Sequence, residues 1–334
     1  MGLRAAGWHV TGRDRSPDHE VAALTAGAID QIGDDADAQL CILAVPVGEV
    51  VAQAHVALAN SSAVVTDVGS VKSGIVAAVT DPRFVGGHPM AGSEQDGVAG
   101  SDPMMFAGST WVLTPGPTTS PDAYALVQAA VGELGAEVVV LDPDEHDRVV
   151  AMVSHVPHLT AVTLMRMASA RSAQHASVLR LDAGGFRDMT RIAAGSPAIW
   201  PDICVENRDA ICDALDELID ELTALRGVVA DADRSELLSS LTAARSARLS
   251  LPTTVPLPER IVELRVLVPD RPGVLAEVTA AASDAGVNIY DIEIAHSAEG
   301  PRGVLILVVG DDESPGLTSR LDALGYRVRV RELT

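Results

Sequence analysis

Short apolar runs alternate with longer amphipathic stretches along the first 142 residues of the chain. Six runs rich in β-branched and aromatic residues predict strands: Trp8–Asp14, Gln39–Val45, Ala63–Asp67, Phe84–Gly87, Thr110–Thr114 and Glu137–Leu141. Alternation of this kind is typical of an α/β fold, in which helices cover a parallel sheet. We therefore expect one α/β domain over residues 1–142, with its ligands bound beyond the carboxyl ends of the strands.

From residue 143 the apolar positions recur every three or four residues, which predicts helices over 143–249. One of these helices opens at His146–Asp147, and Pro157 should bend it. Ser196–Pro197 reads as the N-cap and first residue of a second long helix, and a third lies near Arg234–Arg248. Their apolar stripes suit burial within the domain or against a second subunit, so we expect a homodimer.

Prolines are concentrated between Leu251 and Pro258, which predicts an extended linker over 250–259. Beyond the linker, strands are predicted at 261–268, 287–297, 303–309 and 326–332, and helices at 272–285 and 315–324. This order predicts a βαββαβ domain over 260–334. Its first strand-to-helix turn, Asp270–Leu275, presents N–H groups that can receive a carboxylate.

The composition indicates where the protein works. The 334 residues carry 46 acidic and 24 basic side chains, a formal net charge of −22. Such a charge argues against nucleic acid or an anionic membrane as the main partner. The three cysteines contain no CxxC pair, and we find neither an apolar run of membrane-spanning length nor a signal peptide. We therefore expect a soluble protein of the reducing cytoplasm.

One turn holds a titratable imidazole among small residues, since Gly86 to Glu94 reads G-G-H-P-M-A-G-S-E. Glycine permits close approach of a ligand, and a histidine such as His88 suits acid/base work near neutral pH. A single loop histidine is more often not catalytic. His88 becomes a stronger candidate because polar residues end the neighbouring strands as well.

Four strand ends are polar or small and should converge on one crevice. They read Gly12-Arg13-Asp14, Ala44-Val45-Pro46, Asp67-Val68-Gly69-Ser70 and Gly87-His88-Pro89. Asp14 stands where a dinucleotide-binding fold places the carboxylate that hydrogen-bonds the adenosine ribose. A carboxylate repels a 2′-phosphate and so favours NAD over NADP, whereas Arg13 and Arg15 weaken that preference.

The glycine fingerprint G-x-G-x-x-G does not occur in the chain. The residues from Met1 to Gly7 read as the last turns of the helix that should follow the fingerprint, and the acidic residue normally lies about 20 residues beyond it. We therefore expect the first strand and the phosphate loop to be missing, through a start codon placed too late or a real truncation.

Two further histidines, His155 and His158, share a face of the helix that opens at His146. Packing or capping in a helical core explains them as well as a functional role does. A metal site is not expected, because no glutamate completes an H-E-x-x-H arrangement.

Several blocks, taken in their order along the chain, resemble the prephenate dehydrogenase family. They are DVGSVK at 67–72, HPMAGSE at 88–94, His146-Asp147 with SHVPH at 154–158, and GGFRDMTR at 184–191 followed by Trp200. The turn Asp270–Leu275 resembles the ligand-binding turn of ACT domains. The resemblance covers nearly the whole chain and implies a Rossmann-like sheet lacking its first strand, an all-α dimerisation domain and an ACT regulatory domain.

The resemblance implies oxidative decarboxylation of prephenate to 4-hydroxyphenylpyruvate in tyrosine biosynthesis, with NAD as the hydride acceptor. His88 would accept the proton of the substrate hydroxyl. Ser70 would hold the same hydroxyl or orient the imidazole, although capping the following helix explains it equally well.

The resemblance also assigns residues to the binding sites. Arg191 matches the arginine that binds a substrate carboxylate, His158 and Trp200 match other positions of that pocket, and Asp188 would support the arginine loop. Ser93 and Glu94 would tune His88 or contact substrate, but a solvated turn explains them too. The cofactor positions are Asp14, Arg15, Val45, Pro46 and Gly69.

ACT domains bind amino acids, so the resemblance implies tyrosine as a feedback ligand. Its expected contacts are Asp270, Gly273, Val274, Leu275, Asn288 and Asp291. Two alternatives stay open at the level of sequence. Arogenate could replace prephenate as the substrate, as in cyclohexadienyl dehydrogenases, or the chain could be a catalytically impaired amino-acid-binding protein.

Overall fold

The computed structural model describes residues 1–92, 97–172, 184–250, 260–296 and 302–332. The chain forms two compact units, Met1–Leu237 and Leu238–Thr334. Within the described ranges, no helix is both long and apolar enough to cross a membrane.

The first unit alternates strands and helices and then becomes helical. Its strands are Thr11–Gly12 (β1), Gln31–Ile32 (β2), Leu40–Leu43 (β3), Val64–Asp67 (β4), Phe84–Pro89 (β5), Thr110–Thr114 (β6) and Glu137–Val140 (β7). Its helices are Gly2–Ala5 (α1), Pro17–Thr25 (α2), Val47–Asn60 (α3), Ser73–Ala78 (α4), Pro121–Glu133 (α5), Pro143–Val150 (α6), Val156–Ser172 (α7), Gly184–Thr190 (α8), Trp200–Glu206 (α9), Arg208–Ala230 (α10) and Arg234–Leu249 (α11), the last of which continues into the second unit.

Two sheets form the α/β part of the first unit. β1 pairs with β2 in parallel, and a five-stranded sheet has the order β3-β4-β5-β6-β7. All neighbours in the larger sheet are parallel except β5 and β6, which run antiparallel. The expected α/β class is confirmed, but this one reversal departs from a wholly parallel sheet. The strand expected at Trp8–Asp14 is also shorter, because only Thr11–Gly12 pairs.

His88 lies within a strand, and not in a turn after one. Strand β5 continues to Pro89 because its antiparallel neighbour offers pairing beyond Gly87, with His88 opposite Val112. The two glycines before it are buried packing positions. A Cβ on Gly86 would overlap Thr114 Oγ1, and one on Gly87 would lie 2.7 Å from the Asp67 carbonyl oxygen.

Helix α6 begins three residues earlier than the sequence pattern indicated. Asp142 is its N-cap and accepts hydrogen bonds from the N–H groups of Asp144 and Glu145, while Pro143 occupies the first helical position. The helix then passes through a π turn at Ala151–His155 before α7. This π turn lies just before Pro157, the position at which the sequence predicted a bend.

The helix expected from Ser196–Pro197 onward is divided. Pro197–Ile199 is a 3₁₀ turn whose Ser196 N-cap makes no side-chain hydrogen bond, and α9 ends before Asn207, where the chain turns into α10. The core of this region joins Ala151 and Val156 to α10.

The second unit contains a four-stranded antiparallel sheet with helices packed on one face. Its elements are Ile261–Pro269 (β8), Val274–Asp284 (α12), Asp291–His296 (β9), Arg302–Gly310 (β10), Ser314–Ala323 (α13) and Arg327–Glu332 (β11). The sheet order is β11-β8-β10-β9. The βαββαβ prediction is confirmed, except that the second strand starts at Asp291, so that Asn288 precedes it.

Gly87→Ala is expected to lower the free energy of unfolding by about 1–3 kcal/mol, the usual effect of overpacking a well-packed core. The reason is the backbone carbonyl of Asp67, which cannot rotate away from the added methyl group. Urea denaturation followed by circular dichroism measures the change. Gly132→Ala on α5 is the matched control, because no atom beyond its chain neighbours and its own helix backbone lies within 4 Å of its Cβ position. Equal stability of the two variants would contradict this account of β5.

Candidate active site

Three side chains form a hydrogen-bonded row at the carboxyl end of β5. His88 Nδ1 lies 2.8 Å from His146 Nε2, and His146 Nδ1 lies 2.8 Å from Asp147 Oδ1. The two imidazole rings meet edge to face at a centroid distance of 5.1 Å. His146 and Asp147 are both buried, so the row runs from the protein interior toward the half-buried His88.

The row fixes which nitrogen carries each proton. Because Asp147 is an acceptor, His146 donates from Nδ1 and its Nε2 carries a lone pair when the ring is neutral. His88 must then donate from Nδ1 to that lone pair. The Nε2 atom of His88 is consequently the lone-pair nitrogen, which is the form a proton acceptor requires.

Asp147 is itself held by backbone groups of the α/β part. Its two carboxylate oxygens accept the N–H groups of Lys72 and Ser73, each at 2.8 Å. These N–H groups belong to the start of α4, so Asp147 caps that helix from 75 residues away. Burial would raise the pKa of Asp147, but the hydrogen bonds from His146, Ser73 and Lys72 outweigh it and hold the pKa below its usual range.

A fully buried ion pair lies behind the same row. Lys72 Nζ donates to Asp67 Oδ2, and both side chains are 0% exposed. Asp67 also accepts the N–H of Gly69 at 2.9 Å and the N–H of Gly87 at 3.1 Å. Burial lowers the pKa of Lys72, and the Asp67 carboxylate opposes that shift.

The surroundings keep His88 neutral. Burial first, and then the nearby His146, Lys72 and His155, lower the pKa of His88 to about 3, while Asp147 opposes them. A neutral ring at physiological pH is a proton acceptor. The pKa thus agrees with the lone pair that the hydrogen bonds assign to Nε2.

An aromatic wall follows on α7 and α9. Trp200 stacks on His158 with a centroid distance of 3.6 Å and an interplanar angle of 11°, and His155 meets the same indole edge to face at 6.0 Å. Asn207 Nδ2 lies 3.2 Å from His155 Nδ1 and donates to the Asp147 carbonyl at 2.9 Å. Burial lowers the pKa of His155 to about 4.

Two other residues expected at the substrate pocket, Arg191 and Asp188, are more exposed to solvent. Arg191 is exposed and begins a 3₁₀ turn, Arg191–Ala194, that packs against α7, the helix of His158. Asp188 is exposed on α8. Ser93 and Glu94 lie outside the described residues. His88 Nδ1 pairs with His146, so Ser70 does not orient the ring through that atom, and α4 is capped by Asp147 instead of Ser70.

The residues expected to hold a dinucleotide lie along the strand ends of the α/β part. Asp14 lines an open cleft together with Gly12, Arg13 and His19. The Asp14 carboxylate accepts the N–H of Ser16 at 2.8 Å and lies 3.2 Å from His19 Nδ1. Arg13 pairs with Asp34, and Arg15 lies 3.7 Å from Glu49.

Val45 and Pro46 immediately precede α3, with Pro46 as its N-cap, and Gly69 is buried against Asp67. A carboxylate beside an open cleft suits the hydroxyls of a ribose. Both neighbouring arginines face other carboxylates, so the charge they could offer to a 2′-phosphate is reduced.

The residues expected to bind an amino acid in the second unit do not form one group within a single chain. Gly273, with φ of 89°, is the N-cap of α12 after the end of β8. Asp291 pairs with Val308, which pairs with Glu263 near the start of β8. The turn and Asp291 are therefore about 20 Å apart along the sheet, at roughly 3.3 Å per residue. Asn288 lies at the same far end, since Tyr290 already pairs with Val308.

The sequence motifs include His146, Asp147 and Lys72 but assign them no part in the chemistry, and they do not include Asn207. Asp142-Pro143 was the one local signal for the placement of His146, because it sets where α6 begins. The contacts of Asp147 with Lys72 and Ser73 span more than 70 residues, which no local pattern records.

Family comparisons cover nearly the whole chain. Residues 2–140 match the family model for "Prephenate dehydrogenase, nucleotide-binding domain", residues 142–243 the model for "Prephenate dehydrogenase, dimerization domain", and residues 262–325 the "ACT domain".

Similar proteins agree with these matches. A prephenate dehydrogenase of Bacillus subtilis is 34% identical over 325 residues, which cover 92% of this chain and 86% of the relative. A cyclohexadienyl dehydrogenase of Zymomonas mobilis is 34% identical over 69% of this chain and 82% of its own. A crystal structure of prephenate dehydrogenase from A. aeolicus, with hydroxyphenyl propionate and NAD+, is similar with a TM-score of 0.71 and 30% identity, over 75% of this chain and 92% of that one.

The buried histidines predict that acid destabilises the fold. The ordinary histidine pKa is 6.5, whereas burial lowers the pKa of His88 to about 3 and that of His155 to about 4 in the folded chain. Below pH 6.5 the unfolded chain therefore binds more protons than the folded chain. The free energy of unfolding then falls by about 1.4 kcal/mol for each histidine with every unit by which the pH is lowered. Urea denaturation between pH 7.5 and pH 4.5 measures the slope. His155→Gln should reduce it, and a pH-independent unfolding energy would contradict the burial argument.

Proposed function

The chain belongs to the prephenate dehydrogenase family and catalyses the NAD-dependent oxidative decarboxylation of prephenate, and from that premise we propose that His88 is its proton acceptor. The observation that carries the proposal is the row from Asp147 through His146 to His88, which leaves a lone pair on His88 Nε2. Asp147 and His146 are positioning residues, because they act through His88.

The overall reaction explains why a weakly basic histidine suffices. Prephenate loses a hydride from C4 and one carboxylate as CO2, and the ring becomes aromatic, so the balanced equation neither consumes nor releases a proton. NAD+ supplies the hydride acceptor when it is bound. His88 therefore takes the hydroxyl proton as the carbon is oxidised and returns it to the oxygen of the phenol. The dianionic substrate favours the protonated ring while the proton is held.

We propose that the remaining pocket residues bind and orient prephenate. Ser70 follows β4 in the loop that Asp67 holds through the N–H of Gly69, and its proposed role is to hold the substrate hydroxyl at this strand end. His158 and Trp200 offer one stacked aromatic face. Arg191 lies on the turn packed against α7 and supplies a cation for a substrate carboxylate, and Asp188 supports that turn. Ser93 and Glu94, which lie outside the described residues, stay proposed to tune His88 or to contact substrate.

For the cofactor, we propose that Asp14 binds the adenosine ribose and that Arg15, Val45, Pro46 and Gly69 line the remainder of the dinucleotide site. The fit rests on the open cleft beside Asp14 and on the carboxylate partners of Arg13 and Arg15, which together favour NAD.

We propose tyrosine as the regulatory ligand of the ACT domain. The N–H groups at the start of α12, after Gly273, suit its carboxylate, and the exposed Leu275 and buried Val274 flank that turn. Asp270 belongs to the same turn, whereas Asn288 and Asp291 complete the set only if a second copy brings its own β9 end to the turn, because the two groups are about 20 Å apart within one chain.

A homodimer is the proposed assembly. Helix α10 carries four exposed apolar residues at steps of three and four, which place them on one stripe: Ile219, Leu222, Leu225 and Val229. A second copy of this helical region is the proposed partner, in line with the description of the matching family model as a dimerization domain.

The domain limits proposed from sequence, 1–142, 143–249 and 260–334 with a linker at 250–259, are kept. The linker lies almost entirely outside the described residues. The three cysteines are free thiols, which supports the proposed cytoplasmic location.

His88→Asn should lower kcat by roughly 10²–10⁴-fold, the usual contribution of general acid/base catalysis. Asparagine keeps a polar side chain of similar reach but cannot take up the proton. NADH formation is followed spectrophotometrically with prephenate and, in parallel, with arogenate. His55→Asn on the exposed face of α3 is the matched control. Full turnover by His88→Asn, with unchanged thermal unfolding, would reject His88 as the proton acceptor.

Titration calorimetry should detect tyrosine binding to the full chain, and added tyrosine should reduce turnover, since binding and activity are linked through the states they favour. Asn288→Ala should weaken binding by about tenfold, equivalent to the loss of one hydrogen bond. Asp322→Asn, which is exposed on α13 outside the proposed contacts, is the control. No heat and no kinetic effect from tyrosine, with the βαββαβ domain folded, would remove the regulatory proposal.

A further inference from the structure

Lys72 and Asp67 form an ion pair with no exposed surface on either side chain. The pair lies directly behind the hydrogen-bonded row that ends at His88. Burying two charges is costly, and a hydrophobic pair of similar volume is often as stable or more stable. A buried pair is therefore weak support for a purely stabilising role. Its position between two functional segments suggests another reason for its presence.

The carboxylate of Asp67 joins those segments. One N–H that it accepts belongs to Gly69, next to Ser70, and the other belongs to Gly87, next to His88. Lys72 contributes through both its side chain and its backbone, since its Nζ donates to Asp67 and its backbone N–H donates to Asp147. The pair thus links the Ser70 loop, the His88 strand and the His146–Asp147 helix through four hydrogen bonds.

The pair also places charge near the imidazole. The groups that face His88 are His146 and Asp147 on α6, His155 in the π turn and Lys72 before α4. Of the charges among them, Lys72 opposes protonation of His88 and Asp147 favours it. Hydride transfer requires reacting groups held within fractions of an ångström, and a misplacement of about 1 Å costs about 10²-fold in rate.

We propose that the Asp67–Lys72 ion pair is a positioning pair for the dehydrogenase reaction, which sets the Ser70 loop against the His88 strand and places a buried cation near the imidazole. The inference rests on the proposed role of His88. Neither side chain reaches the surface of the pocket, so the pair acts on the reaction through its neighbours and not by touching substrate. The cost of burying the two charges is then explained by their contribution to catalysis.

Two variants test the pair. Lys72→Met removes the buried cation, and Asp67→Asn with Lys72→Met replaces the ion pair by a neutral pair that keeps one acceptor oxygen for the N–H groups. The double variant guards against misfolding, because Lys72→Met alone leaves Asp67 buried without its counter-ion. Arg83→Met is the matched control, since the Asp81–Arg83 pair lies at the opposite end of the same strand.

Three measurements are made on the full chain: kcat and KM for prephenate, Tm, and the pKa of His88 from the NMR titration of its ring in the cofactor-free protein. We expect kcat to fall by about 10²-fold in both variants, with KM changed less than about threefold. The pKa of His88 should rise by about one unit in Lys72→Met, because the opposing charge is gone. Arg83→Met should lower Tm and leave kcat and the pKa of His88 unchanged.

If both Lys72 variants lower Tm but keep kcat and the pKa of His88, the pair is structural only and the inference is overturned. Loss of kcat with an unchanged pKa of His88 overturns the electrostatic half and supports the positioning half. Full turnover by His88→Asn is a separate result, since it rejects the proposed function whatever the titration of the Lys72 variants shows.

Discussion

The carboxylate of Asp147 is the interaction on which the site depends. It binds the backbone at the start of α4 and the imidazole of His146 at the same time. The first contact attaches the helical region to the α/β sheet, and the second determines the tautomer of His146 and, through it, that of His88. One carboxylate therefore couples the assembly of two structural layers to the protonation state of the reacting group.

The site works because its charges are local. The whole chain carries a net charge of −22, yet the groups around His88 include a buried lysine and two further histidines. In a region from which water is largely excluded, the nearest charges outweigh distant surface carboxylates that are screened by solvent. Overall acidity therefore tells little about the potential that a dianionic substrate meets in the pocket.

The sequence was sufficient for the class of fold, for the motif around His88 and for the elements of the βαββαβ domain, because these depend on periodicity and local residue types. It was insufficient for the extent of β5, since only the pairing of His88 with Val112 on an antiparallel neighbour continues that strand. It was also insufficient for the hydrogen-bonded row, because His88 and His146 lie 58 residues apart in the chain. The ligand residues of the ACT domain show a related limit, because similarity to a family names positions without saying which copy of the chain supplies each one.

The π turn at Ala151–His155 affects how this helix can change length. Its wider loop accommodates one residue more than a regular α-helical turn, and it ends with the N–H of Val156 bonded to the carbonyl of Ala151. Five residues in this wider turn cover nearly the same angle as four residues of a regular α-helix. Removing one residue there would therefore restore regular winding and leave His146 on the side of the helix that faces His88, whereas removing one residue from a regular part of the helix would rotate its two flanks by about 100° relative to each other. The π turn is thus the place where this helix can change length with the least effect on the site.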